Sequence, residues 1–134
     1  MFKKLDKYKD FGLLIIRIGI GLVFTLIYGW PKISGGAPKW EILGASMKNF
    51  GITFLPVFWG FMSAFAEFFG GISLLLGAFT RPMMILLTIN MCVALSTHLG
   101  GPWSNLAHPI EVLTIIFAMF ILGAGKYSVD NLIK

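Results

Sequence analysis

The sequence predicts an all-α integral membrane protein, a four-helix transmembrane bundle, and three observations carry that expectation. Of its 134 residues, 57% are hydrophobic and 13% charged, with a mean hydropathy of +0.83. Too few polar side chains exist to coat a water-soluble globule of this size. Apolar runs long enough to cross a bilayer, which takes roughly 20 residues each, recur four times, and the short stretches between them concentrate the Gly, Pro and charged residues. Four spans and their connections use nearly the whole length, so a single membrane domain over residues 1–134 is expected, without a soluble catalytic domain.

The first span is read over residues 11–30 and is interrupted by one charge, Arg17. Lys3, Lys4, Lys7 and Lys9 precede it, and the apolar run continues to Trp30 without a small-residue cleavage site. That pattern reads as a retained span rather than a removed signal peptide. Residues 31–54 mix Lys32, Lys39, Glu41, Lys48 and Asn49 with Gly, Pro and Trp, and predict an outer loop with a short interfacial helix around residues 40–50. The second span covers residues 55–79 and the third 82–97. Thr80-Arg81-Pro82 between them predicts a tight turn, and so a helical hairpin. The fourth span covers residues 109–123. There is no internal repeat and no low-complexity tract.

Outside the spans, Lys3, Lys4, Lys7, Lys9, Arg81, Lys126 and Lys134 fall on one side, against Lys32, Lys39 and Lys48 on the other. Seven against three predicts both termini in the cytoplasm of a multi-pass protein of the cell (inner) membrane. The 98–108 loop carries no Lys or Arg, and Trp30, Trp40, Trp59 and Trp103 all fall at or near that outer interface. The net charge of +5 is scattered over span ends, where it meets anionic lipid headgroups. Nucleic-acid binding needs a clustered basic patch that this chain lacks. Cys92 stands alone, which excludes an internal disulfide and a Cys-x-x-Cys pair, so any redox role needs a cofactor or a bound substrate.

An ionised side chain near the bilayer centre costs at least about 2.5 kcal/mol and is retained only when turned into the bundle and paired. Arg17, Glu67 and Glu111 are therefore the candidate functional charges. Glu67 lies roughly 18 Å of helix from the cytoplasmic end of the second span, within reach of Arg17, and the two are expected either to form a polar centre or to fix helix register as a charge pair. Arg17, Gly21, Phe24, Tyr28 and Lys32 share one helical face, as do Ser63, Glu67, Gly70, Gly71 and Leu74 in the second span. Asn90, Ala94 and Thr97 or His98 line a third face, and His108, Glu111 and Thr114 a fourth, so every span is expected to turn polar groups inward. Near the outer surface, His98, His108 and Glu111 have the side-chain chemistry of metal or haem ligands or of a proton relay to a buried quinone. For His108 and Glu111, capping of the fourth span is the simpler reading, since Pro109 suits a first helical turn.

Several short motifs fall in an ordered series. Arg17-Ile-Gly-Ile-Gly21, Tyr28-Gly29-Trp30-Pro31-Lys32, Glu67 with Gly70-Gly71 and Leu74 to Gly77, His108-Pro109-Ile110-Glu111, and the tail from Gly123 to Asp130 together resemble the DoxX family of small bacterial membrane proteins. The resemblance covers nearly the whole chain from Phe11. It implies a four-helix bundle with cytoplasmic termini, and it aligns Arg17 and Glu67 with the family's intramembrane charges and Trp30, Lys32, His108 and Glu111 with its outer-face pattern. His98 has no such counterpart. Relatives include the membrane subunit of a thiosulfate:quinone oxidoreductase, others linked to oxidative stress, quinone resistance or thiol metabolism, and, more distantly, receptor-assembly chaperones.

The resemblance thus implies a quinone-linked redox component, or a membrane subunit of an oxidoreductase complex, with redox partner proteins. Taken with the intramembrane charges and inward faces, it makes Glu67, Arg17 and Glu111 the candidate catalytic residues, and Tyr28, Trp30, Lys32, Asn90, His98 and His108 the candidate ligand-binding residues, Asn90 and His98 by their place on the third-span face alone, with quinone as the candidate cofactor and no metal. Two other classes fit the chain: a non-catalytic assembly protein, and a small proton-coupled transporter, which as a single four-span bundle needs a homo-oligomer to alternate access.

Overall fold

A computed structural model describes residues 2–134, and every regular element among them is helical. Helix α1 runs over Lys3–Ile33 and α2 over Gly36–Gly44, continued by a tighter 3₁₀ stretch, Ala45–Phe50. Then come α3 (Pro56–Leu76), α4 (Thr80–His98), α5 (Trp103–Leu122) and the short α6 (Val129–Leu132). Helices α1, α3, α4 and α5 are long and apolar enough to cross a membrane. Outward-facing Ile15, Ile18, Leu22, Leu26 and Ile27 of α1 are exposed, as expected where the solvent is hydrocarbon and the backbone satisfies itself within the helix.

Helix α3 is the centre of the bundle, packing against α1, α2 and α4, while α5 packs on α4. Without a hydrophobic force between helices in lipid, close backbone approach through small residues supplies the contact. A Cβ added at Gly21 would lie 2.9 Å from the Gly71 carbonyl oxygen, and one at Gly29 2.5 Å from Phe68 Cα. Gly44 and Gly60 likewise hold α2 against α3, where Gly44 meets Pro56 and Gly60 meets Trp40 through backbone. Between these contacts, Phe24, Leu74, Met84, Leu87, Ile116 and Met119 form the fully buried core.

Buried Gly21, Thr25 and Gly29 recur every four residues, yet an ideal α-helix drifts about 40° for each such step. The structure removes that drift with a π-helical turn over Val23–Gly29, in which the Trp30 N–H reaches back five residues to the Thr25 carbonyl. The wider turn keeps the three small residues in one line against α3. It also sets the angle at which the end of α1, with Lys32, arrives over α3.

Three local expectations need correction. The reversal between α3 and α4 lies at Gly77–Phe79, with φ of 67° at Gly77 and 51° at Phe79. Thr80-Arg81-Pro82 is instead the first turn of α4, where a proline's missing N–H has no helical partner to lose. Helix α5 starts at Trp103, after Pro102. His108 and Glu111 therefore sit inside the helix rather than capping it, and buried Pro109 is interior. Pro109 is tolerated because the one bond it removes would go to Asn105, in the exposed first turn. Third, α5 turns its apolar stripe of Leu106, Pro109, Val112, Ile116 and Met119 inward, which leaves His108, Glu111 and Thr114 exposed. Not every span contributes polar groups to the interior.

Helix α4 has no cap from its own sequence neighbours, and the distant Asp130 supplies one. Its carboxylate accepts the Phe79 N–H at 2.7 Å and the Thr80 N–H at 3.0 Å, and its own N–H donates to the Gly77 carbonyl at 2.8 Å. A carboxylate on the first free N–H groups of a helix is favoured by both hydrogen bonding and the helix dipole. Desolvation works to raise the Asp130 pKa, but the Thr80 and Phe79 hydrogen bonds and the field of Arg17 outweigh it, holding the carboxyl below its ordinary 3.8. A folded-state pKa below the unfolded one gives stability that is complete above that ordinary value and is lost as pH falls through the folded value. Asp130→Ala is expected to cost about 1 kcal/mol at neutral pH, with the melting-temperature gap to wild type closing as pH drops below 3.8. A gap that stays constant down to strong acid would remove Asp130 from this role.

Candidate functional site

Glu67 lies midway along α3, with its side chain 4% exposed. Both carboxylate oxygens are engaged: Lys32 Nζ donates to Oε2 at 2.6 Å and Asn90 Nδ2 to Oε1 at 3.0 Å. Lys32 comes from the last turn of α1 and Asn90 from α4, so three helices meet at one carboxylate. A charge kept in this setting needs such partners, because an unpaired buried carboxylate would cost several kcal/mol. Lys32 is more open, its side chain 24% exposed. An ammonium has three N–H donors, and this one gives a single hydrogen bond to Glu67. The Lys32 carbonyl accepts the Trp40 indole N–H at 2.9 Å, which ties α2 to the end of α1.

These polar groups line a cavity of about 420 Å³ between α3 and α4, covered by the Leu43, Ser46 and Met47 side of the α2 segment. Its walls are apolar, with Trp59 and Met62 from α3 facing Leu86, Ile89 and Val93 from α4. Thr97 and His98 line it at the end of α4, and His98 is exposed. The cover is fastened by Asn49, whose Nδ2 donates to Ser96 Oγ at 3.2 Å. An apolar chamber of this size with a few convergent polar groups is the usual form of a small-molecule site.

Of the residues singled out in the sequence, the cavity gathers Lys32, Glu67, Asn90 and His98. Arg17 is not with them and does not meet Glu67. It is 1% exposed, level with Leu74, seven residues or about 10 Å of helix beyond Glu67. Its Nε donates to the Leu74 carbonyl at 2.9 Å and Nη2 to Leu75 at 3.2 Å, while Nη1 donates to Ala124 at 3.0 Å and Tyr127 at 2.7 Å. Those carbonyls belong to the end of α3 and the segment after α5, where the helical ladder leaves oxygens unpaired. Tyr28 stacks on His108, ring centroids 4.9 Å apart, and Trp30 tilts against Phe68 at 6.0 Å. Neither pair lines the cavity, nor does exposed Glu111. No cluster of three or more His, Cys, Asp and Glu forms among the described residues, so His98, His108 and Glu111 do not converge.

Sequence reasoning missed the Lys32–Glu67 pair, although Lys32 already stood on the inward face of α1. It also missed Trp59 and Met62 as cavity walls. The signal was there: Trp59, Met62, Ser63, Ala66 and Glu67 follow three-or-four spacing along α3.

A family model, DoxX, matches residues 12–100, which runs from within α1 through the end of α4 and includes every residue that lines the cavity. No curated protein and no solved structure matches the chain.

If Arg17 serves the backbone, its removal should act on stability and leave the cavity intact. Arg17→Gln is expected to cost on the order of 3 kcal/mol through the buried carbonyls it abandons. Any ligand held in the Lys32–Glu67 cavity should bind the folded variant with unchanged affinity. Thermal unfolding alongside ligand titration separates the two effects, and a variant with full stability but weakened binding would contradict this assignment.

Proposed function

Because this chain belongs to the DoxX family, we propose that it is a quinone-binding component of a membrane redox system. The observation that carries the reading is the Lys32–Glu67–Asn90 cluster set in an otherwise apolar cavity. A quinone headgroup is a flat, neutral ring with two carbonyl acceptors. It suits side walls of Trp59 and Met62 against Ile89 and Val93, with Lys32 Nζ donating to one carbonyl oxygen. A quinone held there would supply two-electron, two-proton chemistry. The electrons come from a partner protein, since the chain has one cysteine and two histidines and no clustered ligand set among the described residues.

The chain's own part is binding and orientation. Asn90 holds one oxygen of Glu67 and so fixes the direction of the carboxylate toward Lys32. Lys32 Nζ would donate a hydrogen bond to the ring oxygen while Glu67 holds the ammonium in place, and the two protons that a quinol needs would be drawn from water at the cavity's open end. His98, exposed at the cavity's end, stands between the cavity and water. The lysine and arginine asymmetry supports a setting in the inner membrane with both termini cytoplasmic. The cavity then lies toward the outer leaflet, since Lys32 and His98 are at the opposite ends of their helices from the termini.

The test is a titration of a short-chain benzoquinone into detergent-purified protein, followed by tryptophan fluorescence, with mass spectrometry of co-purified quinones alongside. Lys32→Gln is expected to weaken binding at least about tenfold, the worth of a charged hydrogen bond. Glu111→Gln should leave it unchanged. Quinone affinity equal in wild type and Lys32→Gln, or no saturable binding at all, would overturn the proposal.

A further inference from the structure

The opposite end of the bundle holds a second, larger cavity, of about 680 Å³, that the quinone reading does not use. Arg81, Lys126 and Lys134 line it, together with Asp10 and Asp130. Both carboxylates are already engaged. Asp130 is taken up by the Phe79 and Thr80 N–H groups, and an oxygen of Asp10 accepts the Lys126 backbone N–H at 3.0 Å. These bonds leave the two carboxylates charged, so the three cations exceed them by one, and none of the three forms a salt bridge among the described residues. Arg81 gives Nε to the Phe120 carbonyl at 3.1 Å and Nη2 to Ile121 at 3.4 Å, which leaves N–H donors over from its five. Lys126 Nζ lies only against the Tyr127 ring, 5.9 Å from its centroid.

Next to this cavity an apolar groove of about 340 Å³ runs between α1 and α5, lined by Leu13, Ile16, Ile20, Ile115, Ala118 and Met119. Leu122 lines both the cavity and the groove. Asp10 and Leu13 bring them together on the α1 side as well, both meeting Gly125. The groove has open floor at Gly19, where an added Cβ would meet nothing within 4 Å. A cationic chamber thus continues into an apolar channel along the lipid-facing side of the bundle.

We propose that this composite site binds one anionic phospholipid, the phosphate held among Arg81, Lys126 and Lys134 and an acyl chain lying in the α1–α5 groove past Leu122. A free phosphate or phosphorylated metabolite would use the chamber but gain nothing from the groove. A zwitterionic lipid would fill the groove but carries a cation of its own into the chamber. Only a lipid with net negative charge satisfies both halves. Basic pockets between helices on the side that carries the positive residues are suited to such headgroups.

The experiment is native mass spectrometry of the full chain, delipidated in detergent and then offered phosphatidylglycerol, phosphatidylcholine or glycerol phosphate. Wild type should retain one phosphatidylglycerol in preference to phosphatidylcholine. Lys126→Gln with Lys134→Gln, neither side chain having a hydrogen bond to lose, should lower that retention by about fivefold for each cation removed. Ala118→Phe, which fills the groove and leaves the cations in place, should lower retention of the lipid while leaving any glycerol phosphate signal alone. Equal retention of the two lipids, or full retention by both variants, would overturn the proposal and mark the bound molecules as unselected boundary lipid. Displacement of phosphatidylglycerol by an equal concentration of glycerol phosphate would also overturn it, in favour of a soluble anion.

Discussion

The arrangement rests on Arg17 and the four carbonyl oxygens it gathers. Inside a bilayer a backbone carbonyl at a helix end has no water to turn to, and each one left bare costs several kcal/mol. The end of α3 and the segment after α5 present four of them, at Leu74, Leu75, Ala124 and Tyr127. A guanidinium answers that need better than any other side chain, since its donors are fixed in a plane and always charged. The space it occupies is tight: a Cβ at Gly77 would lie 2.5 Å from Arg17 Nη2. Asp130 works on the other strand of the same turn, covering the N–H groups at the start of α4. Cation on carbonyls and anion on N–H groups oppose the two helix dipoles correctly, and each charge favours the other across the turn. Together they bind the middle of α1, the α3–α4 reversal and the C-terminal segment to one another.

With that turn fastened, the far side of the bundle is free to be shaped. Helix α1 continues from Arg17 along a line of small residues, and the π-turn keeps that line on α3 until Lys32 reaches Glu67. A stiff, regular helix would have carried Lys32 round by about 40° for every four residues of that line. Helix α2 then folds back over α3 through Gly44 and Gly60 and covers the gap between α3 and α4. The cavity lies between α3 and α4 beside the Asn90–Glu67 hydrogen bond that joins them.

Much of this was legible in the sequence. The four apolar runs, the hairpin of α3 with α4, and the inward faces of α1, α3 and α4 follow from composition and helical spacing, and so do Lys32, Glu67, Asn90 and His98 as members of inward faces. What could not be read was which charges meet. Arg17 and Glu67 are opposite in sign and both intramembrane, but the partner of each depends on the depth at which α1 crosses α3, which the Gly21–Gly71 contact sets. Asp130 is separated from the N–H groups it caps by 51 and 50 residues, so no local pattern announces it. For α5 the error was one of weighting. A polar stripe and an apolar stripe both have helical spacing there, and the rule that charges in membranes turn inward favours the polar one. The apolar stripe of Leu106, Val112, Ile116 and Met119 had the greater burial to gain.

Under the proposed reading, the ion pair at the cavity also restricts what enters it. Glu67 is the buried partner and Lys32 the open one, so the lysine is the group that can move to meet a ligand. A neutral acceptor such as a ring carbonyl takes one of the free ammonium donors and leaves the pair to Glu67 intact. An anion would compete with Glu67 for the same ammonium, and its success would strand a carboxylate in low dielectric at a cost of several kcal/mol. A cation would be drawn to Glu67, but Lys32 already pairs that charge and would repel a second cation, while Asn90 holds the other oxygen. Charge selection therefore comes from a pair that is itself neutral: the more completely Glu67 is satisfied by its two partners, the more strongly the cavity prefers uncharged molecules with a hydrogen-bond acceptor at one end.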